Sequence, residues 1–123
     1  YNQLLSGSKL LVMIPNITSI EKTGPEITVG GYGKMLELAS GHAGVWIGKP
    51  SRMMFDIALS DLNLNNREVL MVGDNIDIDI DGAHNAGIAG ALVLTGEYSE
   101  KELPLTNNAD YTIVNLMELT ALL

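Results

Sequence analysis

The chain has 123 residues, enough for one ordinary domain or part of a larger one. Its 46% hydrophobic and 18% charged residues describe a packed core rather than a disordered segment. Fifteen acidic against seven basic side chains, a net charge of −8, disfavour nucleic acid or an anionic membrane surface as partner. With no cysteine, a disulfide framework, a thiol nucleophile and a thiolate metal site are excluded, and a reducing, cytoplasmic setting is expected. No apolar run approaches the roughly 20 residues of a membrane-spanning helix. No secretory signal opens the chain, and because it begins at Tyr1 a preceding segment is expected.

In chain order, Leu10–Ile14 reads as a strand that runs into Pro15-Asn16 and a polar stretch through Pro25 with turn chemistry and no helical period. A change of organisation is placed near residue 27, and a helix is expected from Gly33 to Ser40. Val45-Trp46-Ile47 is a short buried strand. After it, Ser51 is a plausible N-cap for a helix in which Met53, Met54, Ile57, Ala58 and Leu62 recur at helical spacing. Val69–Val72 is the next strand, stopped by Gly73. A small-residue helix is then expected over 79–87, with Ile80, Ala83 and Ala86-Gly87 on one side. Ala91–Leu94 and Tyr111–Val114 are two further strands, and Leu116, Leu119 and Leu122-Leu123 mark a terminal amphipathic helix. Continuous apolar strands separated by helices predict an α/β fold, a doubly wound parallel sheet covered on both faces.

The densest polar feature is Gly73-Asp74-Asn75-Ile76-Asp77-Ile78-Asp79-Ile80-Asp81-Gly82, with four aspartates in eight positions. An amphipathic strand would put three repelling carboxylates on one face, in a residue type that strands disfavour. A calcium loop fits Asp77-x-Asp79-x-Asp81-Gly82, but the acid required at its twelfth position is Ile88. The third reading puts Asp74 at the carboxyl end of a parallel strand, where α/β sheets bind ligands. A carboxylate there suits Mg²⁺, which takes one or two carboxylates plus water and phosphate. Asp77 or Asp79 would then sit near a helix N-terminus, where negative charge is favourable.

Gly48-Lys49-Pro50 occupies the equivalent place after the 45–47 strand. A lysine at that edge can hold a phosphoryl group as a point charge, although a solvated loop lysine is the commoner outcome. It is not a P-loop, since Ala43 and Pro50 replace the glycine and hydroxyl residue that motif needs.

The ordered set Ile47-Gly48-Lys49-Pro50-Ser51, Val72-Gly73-Asp74-Asn75-Ile76 with Asp79-Ile80, Ala86-Gly87-Ile88 and Leu92–Gly96 resembles the haloacid dehalogenase (HAD) superfamily, and within it the NagD-like and p-nitrophenyl phosphatases. Ala109-Asp110-Tyr111 is similar to that family's closing segment. The resemblance implies an incomplete HAD-like, Rossmann-type core over 28–123, its C-terminal half, and the tail of a cap domain, including the 10–14 strand, over 1–27. It further implies Mg²⁺-dependent hydrolysis of small phosphorylated metabolites through an aspartyl-phosphate intermediate. Lys49 matches the lysine that holds the phosphoryl group. Asp74 matches a metal-ligand aspartate, and Asp79 a second acidic position supporting metal and lysine. Asn75 lies beside them as a residue that orders the loop. Two departures are Ile78, where relatives often carry Thr, and Ile14-Pro15-Asn16, where they tend to show Asn-Pro-Asp.

The larger departure is the family's nucleophile, an Asp-x-Asp motif that has no counterpart before Lys49. A C-terminal portion of a longer hydrolase, inactive alone, is therefore expected. An exposed sheet edge would associate with the remaining part or with a second copy. The rival reading is a non-enzymatic or degenerate HAD-like module acting as an interaction domain. A response-regulator-like phosphoacceptor is disfavoured because its lysine should follow the aspartate. Gly30-Gly31-Tyr32-Gly33 lacks the context of a dinucleotide loop and is expected to enter a helix. His42 and His84 have no partner acid at a telling spacing and read as solvated, and the six methionines and Trp46 read as packing residues.

Overall fold

The computed structural model describes residues 1–98 and 108–121, and the chain divides into two compact units, Tyr1–Ser51 and Arg52–Leu123. The division falls well after residue 27. The helix that follows the expected change of organisation belongs with everything before it.

In the first unit a short helix, α1 (Asn2–Leu5), precedes β1 (Leu11–Val12). Within the polar stretch expected to have turn chemistry lies an antiparallel hairpin, β2 (Thr18–Glu21) and β3 (Gly24–Ile27), closed by Lys22-Thr23. Its polar residues and Pro25 hid it, since proline removes a ladder donor and reads against a strand. Next comes α2 (Val29–Ser40), which begins four residues earlier than expected and ends at Gly41 in the left-handed conformation, φ 71°. Three glycines in its opening turns depress helix propensity by roughly 1 kcal/mol each, which explains the late predicted start. One of them allows close packing: a Cβ on Gly30 would lie 2.3 Å from the Asn16 carbonyl oxygen. β4 (Val45–Trp46) pairs in parallel with β1, Leu11 opposite Val45 and Val12 opposite Trp46.

Glu37 joins α2 to β4. Its carboxylate accepts hydrogen bonds from the Gly44 N–H at 2.6 Å and Trp46 Nε1 at 2.9 Å, and pairs with Lys34 Nζ at 2.8 Å. Lys34 Nζ also lies 4.2 Å from the centre of the Trp46 ring. These donors, Lys34 first and then Trp46 and Gly44, lower the Glu37 pKa to about 2.

The second unit opens with α3 (Arg52–Leu62), directly after Ser51. Its buried stripe differs from the expected one. Phe55 is buried and Leu59 half-buried, an i, i+4 pair, whereas Met53, Met54, Ile57 and Leu62 are exposed. A 3₁₀ turn (Asn66–Glu68), started by a capping box between Asn65 and Glu68, leads into β5 (Leu70–Gly73). A π-helical turn (Ile76–Ile80) then continues into α4 (Asp81–Asn85). β6 (Ala89–Val93) and β7 (Tyr111–Ile113) complete a parallel sheet of order β5-β6-β7. This is the α/β fold with parallel pairing that the continuous apolar runs predict. A 3₁₀ helix (Leu116–Ala121) ends the described chain, with Leu116 exposed; Leu122 and Leu123 lie outside the described residues.

Ala91 and Leu92 of the central strand β6 are fully buried. Phe55, Ala83, Ala86 and Ile88 form one core cluster, and Ile76, Ile80 and Leu92 another. Burying a side chain such as Ile80 or Leu92 contributes about 1.5–3 kcal/mol. No helix among the described residues is long and apolar enough to cross a membrane.

The expected solitude of His84 is corrected. Its Nε2 lies 2.9 Å from Asp110 Oδ2, which also accepts the Gly90 N–H at 2.8 Å. Those two contacts, the Gly90 N–H first, hold the Asp110 carboxyl below its ordinary range. Twenty-six residues separate the partners, so no local spacing could show the pair. Asn108 Nδ2 donates to Asp81 Oδ1 at 2.6 Å, a second tie between α4 and the segment before β7.

Candidate active site

Parallel strands bring their carboxyl ends to one edge, and register decides which residues meet there. Gly73 of β5 is paired with Leu92 of β6, so Asp74 and the turn after Leu94 emerge side by side. The site grows from that pairing.

Asp79 is the buried member, 3% exposed. Its Oδ2 accepts the backbone N–H groups of Asp74 and Asn75, both at 3.1 Å, while its own N–H donates to the Asn75 carbonyl at 2.9 Å. A Cβ on Gly73 would lie 2.3 Å from the Asp79 side chain, so a glycine is needed where the strand passes this carboxylate. Asn75 caps the π-helical turn, its Oδ1 accepting the Ile78 N–H at 2.8 Å. Its Nδ2 donates to the Glu97 carboxylate.

The half-buried Asp74 receives the Glu97 N–H on Oδ2 at 3.1 Å. Gly96 lies so close that a Cβ there would approach Asp74 Oδ2 to 2.0 Å. Beside this turn, burial and then the Glu97 and Asp77 carboxylates push the Tyr98 hydroxyl above its ordinary pKa.

The four aspartates therefore have separate surroundings. Asp77 is exposed, Asp81 bonds Asn108, Asp79 braces the loop and Asp74 stands at the sheet edge. Both rival readings of the run end here. Residues 76–85 are helical, which removes both the amphipathic strand and the extended twelve-residue loop that a calcium site starting at Asp77 would need.

Asp74, Asn75 and Asp79 are thus gathered within one turn of the second unit. Lys49, half-buried after β4, belongs to the first. Its association with Asp74 rests on the order of motifs along the chain. Glu97 was not anticipated. Applying the sheet-edge rule to the end of β6 as well as β5 would have pointed to it.

Among the described residues no group of three or more His, Asp or Glu side chains could hold a metal. A site of carboxylates alone is therefore not built here. The donor chemistry of Asp74 does fit Mg²⁺, which needs one or two carboxylates and completes its shell with water and phosphate oxygens.

The model of the HAD-hydrolase-like family matches residues 46–119, a stretch that contains Lys49, Asp74, Asn75, Asp79 and Glu97. The chain belongs to the HAD-hydrolase-like family. It is 42% identical over 78 residues to a phospholysine phosphohistidine inorganic pyrophosphate phosphatase of Danio rerio, covering 63% of this chain and 29% of that protein. It is 32% identical over 111 residues to haloacid dehalogenase-like hydrolase domain-containing protein 2 of Rattus norvegicus, covering 90% of this chain and 43% of that protein. Among solved structures, the p-nitrophenyl phosphatase from Archaeoglobus fulgidus matches with a TM-score of 0.89 and 27% identity, over 99% of this chain and 49% of that one. The HAD-hydrolase-like chain thus spans less than half the length of these relatives.

Proposed function

We propose that this HAD-like chain is the C-terminal part of a Mg²⁺-dependent phosphatase acting on small phosphorylated metabolites in the cytoplasm. The observation that carries the reading is the Asp74 carboxylate at the carboxyl end of β5, fixed by the Glu97 N–H on a loop that Asp79 braces from below. Relatives named as phosphatases support the hydrolase class. When bound, Mg²⁺ would supply charge neutralisation at the phosphoryl oxygens.

In this reading Asp74 is the metal-facing carboxylate, and Asp79 sets its direction by shaping the loop. Asn75 orders the first helical turn, and Lys49 holds the phosphoryl group as it accumulates charge. The acceptor carboxylate that forms the aspartyl-phosphate is supplied from outside these 123 residues. The cap expected over 1–27 sets substrate preference, and assembly with the remaining chain or with a second copy completes the sheet.

The test is Asp74→Asn in the full chain, with p-nitrophenyl phosphate as substrate. Turnover should fall by at least about 100-fold, the scale of losing a group that stabilises transition-state charge. Unchanged turnover would overturn the proposal. A wild-type full chain without phosphatase activity would favour the interaction module instead.

A further inference from the structure

Asp74 could not be a reliable ligand if its carboxylate were free to rotate. What prevents rotation is the turn after β6, and one side chain in that turn does two things. The Glu97 N–H reaches Asp74 Oδ2 at 3.1 Å, and the Glu97 carboxylate accepts the Asn75 Nδ2 hydrogen. Asn75 accepts in turn from the Ile78 N–H at 2.8 Å, so the circuit ends on the first turn of a helix.

From these contacts we infer that Glu97 is a positioning residue for the Asp74 carboxylate, an inference that rests on reading Asp74 as the metal-facing group. The Glu97 side chain is exposed and contributes little burial. Its work is to tie the 95–98 turn to Asn75, which keeps its own backbone N–H on Asp74. Gly96 makes the approach feasible: a side chain there would occupy the space of Asp74 Oδ2, at 2.0 Å from its Cβ. With Oδ2 held by one donor, the second oxygen of Asp74 is presented in one direction. Groups one shell out from a metal commonly act in this way, and losing them lowers affinity by about 10–100-fold.

A carboxylate so close could also act through charge alone, attracting any cation whatever its geometry. Glu97→Gln separates the two effects, because the amide oxygen still accepts from Asn75 while the charge is gone. The experiment is Mg²⁺ titration of the full chain by calorimetry, for wild type, Glu97→Ala, Glu97→Gln and Asp74→Asn, with melting temperatures recorded without metal.

Glu97→Ala should bind Mg²⁺ about 10–100-fold more weakly at an unchanged melting temperature, and Glu97→Gln should bind close to wild type. Saturating Mg²⁺ should restore kcat in Glu97→Ala with little change in KM. If Glu97→Ala binds like wild type while Asp74→Asn does not, the positioning role is overturned and the ligand reading survives. Weak binding by both Glu97 variants overturns positioning in favour of charge. If Asp74→Asn binds normally, the ligand reading fails and the inference fails with it.

Discussion

The carboxylate of Asp79 holds the backbone N–H of Asp74 at 3.1 Å, and the same oxygen holds the N–H of Asn75 at 3.1 Å. One buried side chain thus fixes the departure of the chain from β5 and so the direction in which Asp74 leaves the sheet. Removing it would leave two donors without their acceptor in a site that is 3% exposed. Hydrogen bonds to charged groups contribute about 1.5–3 kcal/mol, and an orphaned buried donor costs about 1–3 kcal/mol. Asp79→Ala should therefore lower stability by about 3 kcal/mol or more. Asp79→Asn, which keeps an acceptor oxygen, should lose less. Urea unfolding with matched m-values checks both.

Gly96→Ala tests how closely the 95–98 turn must approach Asp74. The added methyl meets Asp74 Oδ2 at 2.0 Å and Asp74 Cβ at 2.4 Å. Turning the aspartate moves its oxygen but leaves Cβ in place, so the turn itself must shift away, at a cost of about 1–3 kcal/mol. Mg²⁺ binding, phosphatase activity and the urea midpoint should all fall.

In the first unit, Glu37 makes stability depend on pH. Its pKa is lowered from 4.5 to about 2, chiefly by Lys34 and then by Trp46 and Gly44. The folded form therefore binds this proton more weakly than the unfolded chain. The stabilisation is fully present above about 4.5 and is lost as pH falls through about 2. Glu37→Gln should melt below wild type at pH 7, and the difference should shrink as pH drops from about 4.5 to 2. A difference that stays constant over that window would contradict the assignment.

At the start of β6, Asp110 accepts the Gly90 N–H and pairs with His84. Asp110→Ala should release that amide, so hydrogen exchange at Gly90 should quicken while exchange within β5 changes less. The Asp110 carboxyl, read by NMR titration, should ionise below the ordinary aspartate value, with the Gly90 contact as the larger cause.

The parallel sheet was legible because its strands are short, largely apolar runs, and Asp74 was legible because it follows such a run and its closing Gly73 directly. Readings failed where tertiary context outweighed local pattern. Met53, Met54 and Ile57 have helical spacing, yet α3 buries Phe55 and half-buries Leu59 instead. The hairpin over 18–27 is polar and contains Pro25, so neither alternation nor β propensity marked it. Glu97 and the His84–Asp110 pair depend on contacts across 23 and 26 residues, which sequence spacing does not encode.

The close fit of Asp79 against Gly73 also says how this stretch can and cannot change over time. The interval from Asp74 to Asp79 behaves as a measured length: one residue more or fewer would rotate the buried carboxylate off the two amides it holds. Within that interval Asp77 points to solvent and is open to drift. A mutational scan of 73–82 should consequently reject insertions and deletions almost uniformly and accept many residues at 77, a pattern of tolerance set by distance along the chain and not by acidity.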